Sequence, residues 1–177
     1  GPGCAVVCPT NWTSSTVGNI QDVNFDGNAN PSGNGDFYID NTGTCYTVTQ
    51  GTSYTLDITY LMNNNYAAEI AVFIDYNGDG DFADLGEDVS ITTADATTVP
   101  TSYTENITVT IDCDAVVGNI TMRIMQVTIA PSATTPPGWP GGCVSGTFGN
   151  AEDFCLTVIA APTPLAVTAT PIIAPCS

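Results

Sequence analysis

Residues Ser53 to Leu61 alternate without a break, with Tyr54, Leu56, Ile58 and Tyr60 on one side and Thr55, Asp57 and Thr59 on the other. A period of two fits a half-buried β-strand. The pattern returns from Tyr103 to Ile111, with Ile107, Val109 and Ile111 on one face, and no stretch of ten residues or more carries apolar positions at helical spacing. Gly, Asn, Asp and Pro punctuate runs of Thr, Val, Ile and Tyr, the texture of many short strands joined by tight turns. The expectation is an all-β fold, an antiparallel β-sandwich of jelly-roll-like form with disulfides and a calcium-binding loop. With 177 residues, 43% of them hydrophobic, the chain can bury one substantial core.

Other strands are expected from Ile20 to Phe25, Phe37 to Asp40, Cys45 to Val48, Tyr66 to Ile74, Asp88 to Thr92 and Ala151 to Ile159. Val117 to Ile129 reads as one long strand or a bent pair. Residues 1–16 look irregular, 28–35 form a Gly/Asn/Ser/Pro loop, Asn63 to Asn65 a turn, and 93–101 a Thr-rich connection. Residues 130–147 are too long and too rich in Pro and Gly for a simple hairpin, and loops of this kind are often functional. The division expected is an N-terminal segment 1–16, a sandwich domain 17–160, and a Pro/Thr/Ala-rich linker 161–177 that leads into another module. No signal-peptide pattern is visible, so residue 1 reads as the start of a mature or tagged chain.

The densest chemistry lies between Ile74 and Val89. Asp75, Asp79, Asp81, Asp84, Glu87 and Asp88 put six carboxylates into fourteen residues. Close carboxylates repel one another unless solvent or a cation screens them. Calcium is the usual hard cation for a flexible loop of oxygen ligands. Asp75, Asn77 and Asp79 occupy positions 1, 3 and 5 of an EF-hand-like spacing, with Gly80 at 6 to supply a positive φ. Position 12 is Gly86 instead of Glu, and strands instead of helices flank the loop, so the reading is a calcium loop joining two strands. Its ligands are Asp75, Asn77, Asp79, the Asp81 carbonyl, and Glu87 or Asp84. The plain alternative is a hairpin whose Asn-Gly and Asp-Gly pairs are only turn residues. Asp22, Asn24 and Asp26 repeat the spacing, but Val23 and Phe25 alternate as a strand's core face and no later acid completes a loop, so that copy reads as structural.

Net charge is −17, with Arg123 the sole cation. Nothing here can neutralise phosphates, so a nucleic-acid partner is excluded, and an anionic membrane surface would repel the chain. No apolar run approaches the roughly eighteen residues that insertion in a bilayer needs. Arg123 lies inside an apolar strand, where a buried charge needs a carboxylate partner. Seven cysteines without histidine or Cys-x-x-Cys spacing point to disulfides in an extracellular domain, not to zinc. Six of them precede residue 160 and allow three bridges in fifteen ways, which leaves Cys176 over to pair elsewhere.

Three segments in order resemble the GEVED domain family: Val72 to Glu87, Thr121 to Met125, and Gly149-Asn-Ala-Glu-Asp-Phe154, which is similar to the family's Gly-Glu-Val-Glu-Asp-Tyr motif apart from Asn150, Ala151 and Phe154. The resemblance covers roughly residues 17–160. It implies a secreted β-sandwich module of bacterial surface proteins, often ones that use type IX secretion. The tail from Pro164 to Cys176 is weakly similar to a repeat of gliding-motility adhesins, which would leave Cys176 to pair outside this stretch. Glu152 and Asp153 point to opposite faces of a strand, so one can complete the calcium shell from a distance and the other can pair with Arg123.

Without histidine no Ser-His-Asp or Cys-His arrangement can form, and no enzyme is expected; a carbohydrate-active enzyme acting through two carboxylates ranks last. Two readings stand. One is a calcium-stabilised adhesion module that contacts a glycan or other cell-surface ligand through loop 130–147 and exposed aromatics, among them Trp12, Tyr66, Tyr76 and Trp139. The other is a structural spacer in a long surface fibre, partnered by neighbouring modules of its own chain.

Overall fold

A computed structural model describes residues 4, 7–15, 18–31, 36–62, 66–94, 101–129 and 141–163. Among them ten strands form: β1 (Trp12–Ser14), β2 (Gly18–Phe25), β3 (Asn28–Pro31), β4 (Tyr38–Thr49), β5 (Ser53–Met62), β6 (Ala67–Ile74), β7 (Asp88–Ala94), β8 (Thr101–Thr110), β9 (Gly118–Ile129) and β10 (Gly146–Ile159). One sheet runs β1-β10-β9-β6-β7, with β4 also on β10, and the other runs β3-β2-β5-β8. The described residues hold no helix long and apolar enough to cross a membrane.

The two sheets face each other across a single apolar interior. Ile20, Val23, Phe25, Leu56, Ile58 and Tyr60 come from the second sheet and Ile70, Val72, Ile74, Met122, Ile124 and Phe154 from the first, all of them buried. Each such side chain contributes roughly 1.5–3 kcal/mol by leaving water. The alternation of β5 is what the interior requires: residues 56, 58 and 60 point in while 55 and 59 remain at the surface.

The first sheet is covered on its outer face too. Trp12, Ala71, Phe73, Phe82, Met125 and Ala151 make a second buried cluster, with Val7, Cys8 and Val144 packed against it. Two-sided burial explains why Ile70 to Ile74 is a continuous apolar run where β5 alternates. The lid consists of the N-terminal segment, the acidic loop and residues 141–145, and a Cys8–Cys143 disulfide ties two of those pieces together.

The antiparallel sandwich is present, with one addition at the rim of the first sheet. β10 pairs antiparallel with β9, but β1 and β4 both run parallel to it. Three stretches differ from the sequence reading. Trp12–Ser14 is a short strand inside the segment expected to be irregular. Asn28–Pro31 is β3, not loop. The two short strands expected between 37 and 48 fuse into β4, which absorbs their junction in a register shift opposite Phe154 and Cys155. The stretch read as one long strand or a bent pair is one strand, Gly118–Ile129. The repeated Asp-x-Asn-x-Asp-Gly spacing is strand β2 followed by a tight hairpin turn. Asp26 (φ 49°) and Gly27 (φ 83°) take the two left-handed positions of that turn.

Among the described residues the disulfides are Cys8–Cys143 and Cys45–Cys155, and Cys113 is also disulfide-bonded. Cys4 carries a free thiol. This corrects the expectation that the six cysteines before residue 160 pair among themselves. Cys176, Trp139 and the turn Asn63 to Asn65 lie outside the described residues, as do most of loop 130–147 and of the tail.

Candidate metal centre

The acidic loop leaves β6 at Ile74 and enters β7 at Asp88. Its base is pinned by the backbone: Ile74 N–H donates to the Glu87 carbonyl at 3.0 Å, and Asp75 N–H to Thr121 of β9 at 3.0 Å. Two carboxylates then shape it from inside. Asp75 accepts the N–H groups of Gly78 (2.7 Å), Asp79 (3.1 Å) and Gly80 (3.1 Å). Glu87 accepts those of Tyr76 (3.1 Å) and Asp84 (3.2 Å). Wrapping the chain this tightly around Asp75 needs a left-handed turn, and Gly80 takes it at φ 94°.

Asp75 and Glu87 are both buried. Burial pushes the Asp75 carboxyl above its ordinary range, against the pull of its three N–H donors. Glu87 is raised by burial as well, with Asp75 and Asp84 adding repulsion.

Outside this frame three of the four remaining acids converge. Carboxylate oxygens of Asp79, Asp81 and Asp84 lie within 4.8 Å of one another at the loop surface. The Asn77 amide lies between two of them, donating to Asp79 Oδ2 at 3.1 Å and Asp84 Oδ2 at 2.6 Å. It supplies partial positive charge where the carboxylates would otherwise repel by roughly 1 kcal/mol per close pair in water and several times that near a protein surface. The expected ligands thus fall into two groups. Asp79, Asp81, Asp84 and Asn77 meet at one point, with Asp81 joining through its side chain. Asp75 and Glu87 hold the loop that presents them. All donors are oxygen once the Asn77 amide turns over, a donor set that suits a hard cation.

The loop is anchored to the outer face of the first sheet through Arg123. The guanidinium is buried and bidentate to Asp153, Nε to Oδ1 and Nη2 to Oδ2, both at 2.7 Å. Its Nη1 donates to the carbonyls of Cys8 (2.7 Å) and Gly142 (2.9 Å). Phe82 of the acidic loop stacks over it, 5.2 Å from Cζ to ring centre. Cys8 N–H in turn donates to the Gly80 carbonyl at 2.9 Å. One cation therefore joins β9, β10, the N-terminal segment and residue 142, and the acidic loop rests on that junction.

The segment Gly149 to Phe154 resolves the question left by Glu152 and Asp153. Asp153 faces outward to Arg123 and also accepts the Tyr38 hydroxyl at 2.8 Å. Glu152 faces inward, where it accepts the Asn41 amide at 3.3 Å, and it is not part of the close carboxylate group. Asn150 bridges the sheets by accepting the Ile20 N–H at 3.2 Å. Gly149 leaves room for Trp12, whose ring would meet any Cβ there.

Two aromatics expected at the ligand-contact surface are interior. Trp12 packs under the lid, and Tyr76 is buried with its hydroxyl donated to the Thr110 carbonyl at 2.9 Å. Tyr66 is half-buried, while Phe37, Tyr38 and Phe148 are exposed. No local signal distinguishes a Trp at the surface from one covered by a distant segment.

A family model described as the GEVED domain matches residues 69–157, from β6 through the acidic loop to β10. No curated protein matches the chain.

Proposed function

The chain belongs to the GEVED domain family, and on that footing we propose that it is a non-catalytic, extracellular, calcium-binding module of a bacterial surface adhesin. The observation that carries the calcium reading is the convergence of Asp79, Asp81 and Asp84 within 4.8 Å on a loop fixed from behind by Asp75 and Glu87. Calcium held there would replace the Asn77 amide as the neutralising charge, with Asp79, Asp81, Asp84 and the Asn77 oxygen as protein ligands. The disulfides support an oxidising compartment.

The test is thermal unfolding in calcium and in chelator at matched ionic strength, because a chain of net charge −17 gains stability from any salt. A cation at about a hundredfold excess over Kd adds about 2.7 kcal/mol, or roughly 5–10 °C in Tm for a domain of this size. Asp79→Ala and Asp84→Ala should each abolish most of that rise. An unchanged wild-type Tm, with no bound ion by elemental analysis, would end the calcium reading.

What the module does with its rigidity has two readings. Burial of Trp12 and Tyr76 removes two of the aromatics that a glycan-contact surface would use, which favours a structural spacer between neighbouring modules. A glycan array probed in calcium separates the two: specific hits support adhesion through this domain, and a blank array supports the spacer.

A further inference from the structure

On the outer face of the first sheet three sulfur atoms lie together. Cys45 of β4 and Cys155 of β10 form a disulfide between parallel neighbours, in direct register. The N-terminal segment lays the free thiol of Cys4 over this bond, and the Sγ atoms of Cys4, Cys45 and Cys155 are all within 4.8 Å of one another. Cys4 is held there, not merely nearby: its S–H donates to the Ile120 carbonyl at 3.4 Å. It also lines a cleft of 140 Å³ with Val7, Tyr38, Asp40 and Thr121, so the thiol side of the group opens to solvent.

We propose that Cys4, Cys45 and Cys155 form an intramolecular thiol–disulfide exchange site that delivers a free thiol to the edge strand β4. The Cys4 sulfur, as thiolate, attacks Cys155 Sγ; the Cys4–Cys155 bond forms as the Cys45–Cys155 bond breaks, and the electron pair leaves on Cys45, which then takes up a proton. Nothing is oxidised or reduced overall, and no co-reactant is needed. Burial selects the direction. Cys155 is fully buried whereas Cys45 is only partly so, and a departing thiolate is better solvated on Cys45. Among the described residues β4 pairs only with β10, so the new thiol sits on a sheet rim where another cysteine-bearing chain could reach it.

Exchange is slow at neutral pH. Burial first, and then the carboxylates of Asp40 and Asp153, push the Cys4 thiol above its ordinary range, so little thiolate is present. The exchange therefore develops on mildly alkaline incubation.

The experiment is thiol mapping of the intact, non-reduced chain. The protein is incubated at mildly alkaline pH, alkylated, quenched in acid and digested with pepsin, which works where exchange is frozen and does not depend on the single Arg. The expected result is label on both Cys4 and Cys45, together with a Cys4–Cys155 linked peptide, and Cys4→Ser should remove the label from Cys45. Label confined to Cys4, with no Cys4–Cys155 peptide after prolonged incubation, overturns the proposal. A second variant guards against a merely slow reaction. Cys45→Ser, treated with oxidised glutathione, should close to Cys4–Cys155, and persistence of two free thiols or glutathione adducts there also overturns it.

Discussion

Arg123 shows how much one side chain can be asked to hold when the chain has no other cation. Its partner Asp153 is one strand away and equally buried, so neither charge has water to fall back on. Removing one partner of such a pair is far worse than removing both. Asp153→Ala should lower unfolding free energy by about 3–5 kcal/mol in urea denaturation, while Arg123→Met combined with Asp153→Leu should cost less than that single change. A single variant as stable as wild type would mean that the pair is not desolvated. That Arg123 needs a carboxylate was legible from its apolar strand. Which of Glu152 and Asp153 answers it was not, because the choice depends on which face of β10 meets the lid, and that lid includes an N-terminal segment more than a hundred residues away.

At the scale of the element, the acidic loop behaves as a docked object. Phe82 is fully buried against Phe73, with ring centres 5.9 Å apart, and a Cβ on Gly142 would sit 2.6 Å from the Phe82 Cδ2. Phe82→Ala should therefore cost about 3–5 kcal/mol and, by loosening the loop, weaken calcium affinity measured by titration calorimetry. Gly142→Ala should displace Phe82 and lower calcium affinity in the same direction, with a stability loss of about 1–3 kcal/mol. Wild-type affinity in both variants would show that the loop keeps its shape without its dock. The loop's residues were legible because an Asp-x-Asn-x-Asp-Gly spacing is local chemistry. Its division into framing and converging carboxylates was not, since Asp75 and Glu87 become framers only when the chain closes over them.

For the whole molecule, the strand list was largely readable from alternation, and the parallel rim of the first sheet was not. No local pattern says that β4 and β1 will find β10 after more than a hundred residues. The interior also carries phenols with consequences at high pH. Tyr60 is buried and its hydroxyl donates to Glu105 at 3.1 Å; burial, reinforced by that carboxylate, raises its pKa well above the ordinary phenol value. Tyr38 is exposed, but its hydroxyl is held by Asp153 at 2.8 Å and is raised too, by partial desolvation and then by that carboxylate. The folded state thus keeps protons that the unfolded chain releases near the ordinary phenol value of about 10, so their contribution is fully present below that pH and is lost as pH climbs above it. Tyrosinate absorbance for these two should appear together with loss of the β-sheet circular dichroism signal. Ionisation of Tyr60 at about pH 10 in a folded protein would contradict its burial.

The Cys8–Cys143 bond has a mechanical meaning. It joins the residues just ahead of β1 and just ahead of β10, and those two strands lie side by side in parallel. Tension applied between residue 8 and Ile159 runs straight through the sulfur bridge into β10, and the chain between residues 8 and 143 is left slack. Under traction the sandwich is carried as a passenger on one covalently continuous strand, and it joins the load path only when that bond opens.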